Sequence, residues 1–63
     1  MNNRSQFRSM LQIKKAMKAG DIALSVARVE IAKLAMDKGE TEAEAEATSR
    51  IRWNQWVMEL RGL

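Results

Sequence analysis

The chain has 63 residues, 46% of them hydrophobic and 30% charged, with no cysteine, histidine or proline. A chain of this length buries only about 60% of its unfolded surface, which leaves room for one small domain and no more. Because neither a disulfide nor a Cys/His metal site can support that domain, we expect a partner chain to do so.

The sequence predicts no targeting or membrane segment. The N-terminal residues MNNRSQ are polar and precede no apolar run that ends in a cleavage site. No stretch approaches the roughly 18 uncharged apolar residues that a membrane helix needs. We therefore expect an unprocessed, soluble, cytoplasmic protein that does not span a membrane.

The three glycines divide the chain almost evenly, and nothing between them excludes a helix because proline is absent. The sequence therefore predicts three helices joined by short turns within a single domain, residues 1–63. The expected fold class is all-α, either a small three-helix bundle or a helical hairpin completed by dimerisation. The predicted helices run from about 4 to 19, 22 to 38 and 42 to 61.

Each predicted helix begins near a residue able to cap its N-terminus. Asn3 and Asp21 are the expected caps of the first and second helices, since their side chains can accept from backbone N–H groups. The start of the third helix has the clearest sequence signal, because Thr41 and Glu44 have the spacing of a capping box. In that motif each of the two side chains accepts a hydrogen bond from the other residue's backbone N–H.

The first predicted helix is amphipathic and strongly basic. Residues 1–20 contain five cations and no acid, whereas residues 21–63 contain six cations and eight acids, so +5 and −2 give the total of +3. Beside the basic face lies an apolar arc made of Phe7, Met10, Ile13 and Met17. The basic face can meet solvent alone, an acidic protein, nucleic-acid phosphates or a lipid surface. Its residues are Arg4, Arg8, Lys14, Lys15 and Lys18.

The second and third predicted helices are apolar on more than one face. In the third helix, one stripe carries both tryptophans and another lies more than about 90° away, so one faces the bundle and the other needs a partner. The second helix is apolar over most of its circumference, which fits a central position with close contacts at Ala23 and Ala27. We expect the partner interface to draw on Ile31, Leu34, Ile51, Trp53, Trp56, Met58 and Leu60.

The sequence contains no recognisable catalytic constellation. Without imidazole or thiol, only carboxylates could act as catalysts near neutral pH. Glu42 and Glu46 lie at the start of the third predicted helix, where their favourable interaction with the helix dipole already accounts for acidic residues. No serine precedes a lysine at the spacing of a nucleophile, no glycine loop cradles phosphate, and no ligand spacing fits calcium or zinc. We therefore predict no enzymatic activity, metal, cofactor or small-molecule substrate.

Residues 14–29 resemble a helix-turn-helix motif, in which the second helix enters the DNA major groove. Ala16, Gly20, Val26 and Val29 match the small, glycine and apolar positions of that motif. Asp21 departs from it, because the turn usually has an apolar residue there, and the matching pattern is common in helical proteins. The side chains left to read base edges are Ser25, Arg28 and Lys33.

Two functional hypotheses follow from these patterns. The first is a small non-catalytic regulator that forms a homodimer and binds and modulates another protein, such as a host or transcription-related factor. In size and style the chain resembles accessory regulators encoded by phages and other mobile elements. The alternative is a nucleic-acid-binding regulator whose basic first helix contacts phosphates.

Overall fold

Three α-helices make up the computed structural model, which describes residues 5–62. The helices are α1 (Met10–Ala19), α2 (Leu24–Asp37) and α3 (Glu42–Leu60). This part of the chain contains no strand, so the structure confirms the all-helical class and a small helical bundle.

The two interhelical turns are Schellman motifs built on glycine. After α1, the Asp21 N–H donates to the Ala16 carbonyl at 2.9 Å, and Gly20 has a φ of 79°. After α2, the Glu40 N–H donates to the Ala35 carbonyl at 3.1 Å, and Gly39 has a φ of 104°. Because these left-handed conformations suit glycine, the glycine positions end the helices where the sequence predicts.

The capping box at the start of α3 is confirmed. The Thr41 N–H donates to the Glu44 carboxylate at 2.8 Å, and the Glu44 N–H donates to the Thr41 hydroxyl at 3.2 Å. Two backbone donors of the first turn are therefore satisfied locally.

The start of α1 differs from the prediction. The helix begins at Met10, not near residue 4, and the predicted cap Asn3 lies outside the described residues. Ser9 is the cap: its hydroxyl accepts from the Gln12 N–H at 3.2 Å, and the Gln12 side chain accepts from the Arg8 N–H at 2.8 Å. These reciprocal bonds hold the chain in a non-helical conformation before Met10.

The predicted capping of α2 by Asp21 is also wrong. The helix begins at Leu24, after Ala23, and no side chain caps it. The physical reason is the Schellman turn, which uses the Asp21 N–H to close α1 and leaves Asp21 two residues ahead of the cap position.

The core brings one face of each helix together. Ile31 of α2 and Ile13 of α1 are fully buried, and Trp56 of α3 is 4% exposed. Half-buried side chains from the N-terminal segment and α3 close its edges. The buried cluster consists of Ile13, Met17, Ala27, Ile31, Leu34 and Trp56.

Small residues let α2 and α3 approach closely. Ala45 and Ser49 are both 1% exposed on the side of α3 that faces α2. The Ser49 hydroxyl donates to the Arg28 carbonyl at 2.6 Å, and the Trp53 indole N–H donates to the Leu24 carbonyl at 2.7 Å. These bonds fix the register of α3 along α2, since each side chain reaches one particular backbone carbonyl.

Residues 5–9 form a non-helical segment with bends, and carboxylates of α2 hold its beginning. Glu30, only 7% exposed, accepts from the Ser5 hydroxyl at 2.7 Å and from the Gln6 N–H at 3.2 Å. Asp37 accepts from the Ser5 N–H at 3.1 Å, and Phe7 packs against the core. The buried Glu30 charge is thus matched by hydrogen-bond donors, with the Lys33 ammonium 3.7 Å away.

We expect Glu30→Ala to destabilise the fold by about 1–3 kcal/mol, because it removes a charged acceptor and leaves the donors of the N-terminal segment unpaired. The matched control is Glu46→Ala, which removes an exposed carboxylate bonded to Arg28 and should cost about 1 kcal/mol or less. Urea unfolding measures both values, and hydrogen exchange at the Gln6 amide should accelerate only in the first variant. Equal costs would show that the segment contributes nothing to stability.

We expect Trp56→Ala to cost about 3–5 kcal/mol, because it opens a large cavity in the core. Leu11→Ala is the control, since Leu11 is 58% exposed outside both the core and the α3 helix and surface truncations usually stay within about 0.5 kcal/mol. The measurement is the urea midpoint at a single low protein concentration. A small loss at Trp56 would contradict the core assignment.

Candidate interaction surfaces

Folding leaves several large apolar side chains at the surface, and on α2 and α3 two pairs of them share one face with a half-buried alanine. We call Ala47, Ile51 and Met58 the α3 stripe; Ile51 is 63% and Met58 52% exposed. At about 100° per residue, these residues lie roughly 150° around α3 from the buried Ala45, Ser49 and Trp56. The α3 stripe therefore faces away from the core.

A second stripe lies on α2. We call Val29, Ala32 and Met36 the α2 stripe; Val29 is 51% and Met36 43% exposed. The two large residues lie roughly 170° around the helix from the buried side, at spacing i, i+7. This stripe lies outside the predicted interface residues, although its three- and four-residue steps are a signal that the sequence contains.

The structure divides the predicted interface residues into two groups. Ile31, Leu34 and Trp56 are buried within this chain, and Trp53 is half-buried against it. At the surface lie Ile51, Met58 and Leu60, with Leu60 42% exposed.

Internal ion pairs partly neutralise the basic face. Lys14 and Lys18 both reach the same Glu59 oxygen, at 3.2 and 2.9 Å. Arg8 and Lys15 are exposed and have no acidic partner within residues 5–62, while Arg4 lies outside the described residues. The face is therefore less cationic than its composition indicates.

The lysines stabilise the ionised form of Glu59. The hydrogen bond from Lys18 and then the hydrogen bond from Lys14 hold the pKa of the Glu59 carboxyl below its ordinary value of 4.5. A carboxyl in this position links α3 to α1, so its charge contributes to the fold while it is ionised.

The would-be base-reading side chains of α2 are largely engaged inside the chain. Arg28 lies 5.8 Å from the centroid of the Trp53 ring and 3.3 Å from Glu46, and Lys33 lies 3.7 Å from Glu30. Ser25 is exposed. An approach to DNA by this helix would have to break contacts that join α2 to α3.

No enclosed cavity accompanies these surfaces in the described part of the chain. A solvent-open depression of about 360 Å³ is lined by four residues that all belong to α3. Residues 5–62 contain no group of acidic, histidine or cysteine side chains able to hold a metal ion. Nor does this part of the chain include a helix with the length and hydropathy needed to cross a bilayer.

Comparison with known proteins gives no relative. No family model matches the chain, and neither a curated protein nor a solved structure is significantly similar to it.

We expect the stability of wild-type protein to fall as pH decreases through the lowered pKa of Glu59. A carboxyl whose folded pKa is depressed contributes stability above its unfolded pKa, and this contribution is lost at lower pH. Lys18→Gln should weaken this dependence by removing the main cause of the shift.

Lys15→Gln, one helical position away from Lys14, is the matched control because it leaves both ion pairs intact. Thermal unfolding at pH values on both sides of 4.5 tests the difference between the variants. Identical pH profiles for Lys18→Gln and wild type would contradict the assignment.

Proposed function

We propose that the protein is a non-catalytic helical regulator that forms a homodimer and binds another protein. The observation that carries the proposal is the pair of apolar stripes, on α2 and α3, that remain exposed after the core is complete. Contiguous exposed apolar surface is typical of protein-binding sites in small soluble domains. Such a regulator acts by occupying a surface of its target, and a host or transcription-related protein is the class of target we propose.

The two stripes lie on different helices and point in different directions, which supports two separate contacts. One contact joins the copies of the chain, and the other is left for the target. Methionines in both stripes, Met36 and Met58, suit surfaces that adapt to a partner, because the thioether chain is flexible and polarisable.

Nucleic-acid binding through the basic face is the second candidate. Arg8 and Lys15 favour it, because they are exposed and lack an acidic partner within residues 5–62. Lys14 and Lys18 weigh against it, because phosphate binding would compete with Glu59 for both ammonium groups. The net positive face left for phosphates is therefore small.

We expect target binding to be lost when the α2 stripe is made polar with Val29→Asn and Met36→Gln. Both residues are exposed, so the variant should stay folded, as circular dichroism can verify. Leu11→Asn is the control, since Leu11 is 58% exposed on α1, away from both stripes. Affinity capture from host lysate should give a set of proteins retained by wild type and the control and lost by the stripe variant.

A parallel mobility-shift titration with duplex DNA at two salt concentrations separates the candidates. Phosphate binding weakens with a log–log slope of about −0.9 per neutralised phosphate, whereas an apolar interface changes little. Two results together would replace the regulator proposal by the nucleic-acid one. The first is a steep salt slope that is lost in the double variant Arg8→Gln with Lys15→Gln. The second is unchanged protein capture by the α2 stripe variant.

A further inference from the structure

We infer that the α3 stripe pairs with the α3 stripe of a second copy, with the two helices antiparallel. The inference rests on the proposed homodimer and specifies its face, its orientation and its register. The stripe lies on a helix of 19 residues, about 28 Å long, whose outward side is exposed along its length. Three features of that side favour a second copy over an unrelated partner.

The first feature is the spacing of the outward residues. They alternate in steps of three and four, which is the a/d pattern that keeps one seam facing a partner helix. The buried or half-buried residues that pack inside the chain lie outside this seam, and they include Ala45, Ser49, Trp53, Trp56 and Val57. The seam consists of Glu44, Ala47, Ile51, Asn54, Met58 and Arg61.

The second feature is a charge gradient along the exposed side of α3. Exposed acids lie toward the N-terminal end, where Glu44 is on the seam and Glu46 is already paired with Arg28. Of the exposed arginines, Arg50 lies at mid-helix, Arg52 just beyond it, and Arg61 follows the C-terminal end on the seam. Glu59, the acid in the basic half, is already matched by Lys14 and Lys18. A helix that is acidic at one end and basic at the other is complementary to its own antiparallel copy, because a two-fold axis brings opposite ends together.

The third feature is the fit of side-chain sizes in one register. When positions whose numbers add to 105 face each other, Met58 of one copy meets Ala47 of the second copy, and Ile51 meets Asn54. The same register places Arg61 of one copy beside Glu44 of the second copy at both ends of the seam. Met58 thus faces a small residue, the polar Asn54 lies opposite Ile51 at the centre, and ion pairs close the ends.

The α2 stripe lacks this self-complementarity. The charged residues of its helix already have partners within the chain: Arg28 pairs with Glu46, Lys33 with Glu30, and Asp37 accepts from the Ser5 N–H. They are therefore less available to a second copy than Glu44 and Arg61 of the α3 seam. The α2 stripe is therefore left for the target, and the α3 stripe is assigned to the dimer.

The first test measures molar mass by sedimentation from about 10 μM to about 1 mM. We expect a monomer–dimer equilibrium that Ile51→Asp weakens by at least about tenfold and that the matched variant Val29→Asp leaves within about twofold. A mass that stays monomeric at every concentration would overturn both the homodimer and this inference. A dimer that survives Ile51→Asp but not Val29→Asp would overturn only the inference.

The second test uses the absence of cysteine from the sequence. Antiparallel pairing predicts that a mixture of Ala47→Cys and Met58→Cys chains forms a mixed disulfide on mild oxidation. Met58→Cys chains alone should not form a disulfide with each other. In the antiparallel dimer the two copies of position 58 would lie about 16 Å apart along the helix axis, beyond disulfide reach. Rapid self-linking of Met58→Cys without the mixed product indicates parallel helices and contradicts the inference.

The third test asks whether Arg61 meets Glu44 of the second copy. Arg61→Glu should weaken association about fivefold, and Glu44→Gln alone should also weaken the wild-type dimer. Added to Arg61→Glu, however, Glu44→Gln should recover part of the loss, because it removes the repulsion between two acids. Glutamine keeps the capping box at Thr41, so the helix start is preserved. Additive effects of the two substitutions would show that these residues do not meet.

Discussion

The close approach of α2 and α3 determines how the rest of the chain is used. Ala45 and Ser49 are small enough to bring the two backbones together, and the Ser49 hydroxyl donates directly to a carbonyl of α2. A contact of this kind uses small residues on the inside. The large residues Ile51 and Met58 occupy the outside of the same helix, where a monomer gains nothing from them. Ile51 and Met58 are therefore available to a partner, whereas the larger Trp56 fills the core.

The positive charges of the N-terminal third are less available to an anionic partner than the composition indicates. Glu30 holds the backbone of the N-terminal segment, and Glu59 binds the two lysines of α1. Glu59 comes from α3, so two of the five cations, Lys14 and Lys18, link α1 to a neighbouring helix. This arrangement favours a protein target over phosphates, because the cations nearest the core already have partners.

Local signals allowed the sequence to predict the turns and one helix start. Gly20 and Gly39 end their helices in the conformation that glycine favours, and the Thr41 capping box forms as expected. The start of α1 was missed although Ser9 and Gln12 have a related capping spacing. The docking of residues 5–9 on Glu30 had no sequence signal, since its donors lie about 25 positions away in the chain. Long-range pairing of this kind is set by the tertiary fold.

The interface assignment shows a similar limit. Helical periodicity separates the two stripes of α3, yet it does not say which stripe faces inward. The tryptophan stripe packs on the chain itself, through Trp56 in the core and Trp53 bonded to Leu24, and the isoleucine stripe is the exposed one. Aromatic residues are common both in cores and in interfaces, so residue type could not decide between them. Packing against α2 determines which of the two stripes of α3 is buried.

Assigning α3 to the dimer has a consequence for target binding. The α2 stripe lies roughly a third of a turn around its helix from the side that contacts α3, so antiparallel pairing of α3 leaves it open in both copies. Two such stripes related by a two-fold axis present two identical sites to a target. If the target is itself symmetric, the second contact becomes intramolecular, and the complex is tighter than either contact alone. In the proposed dimer, pairing of the two α3 helices would increase binding strength as well as stability, which would account for the large apolar residues on the surface of so small a chain.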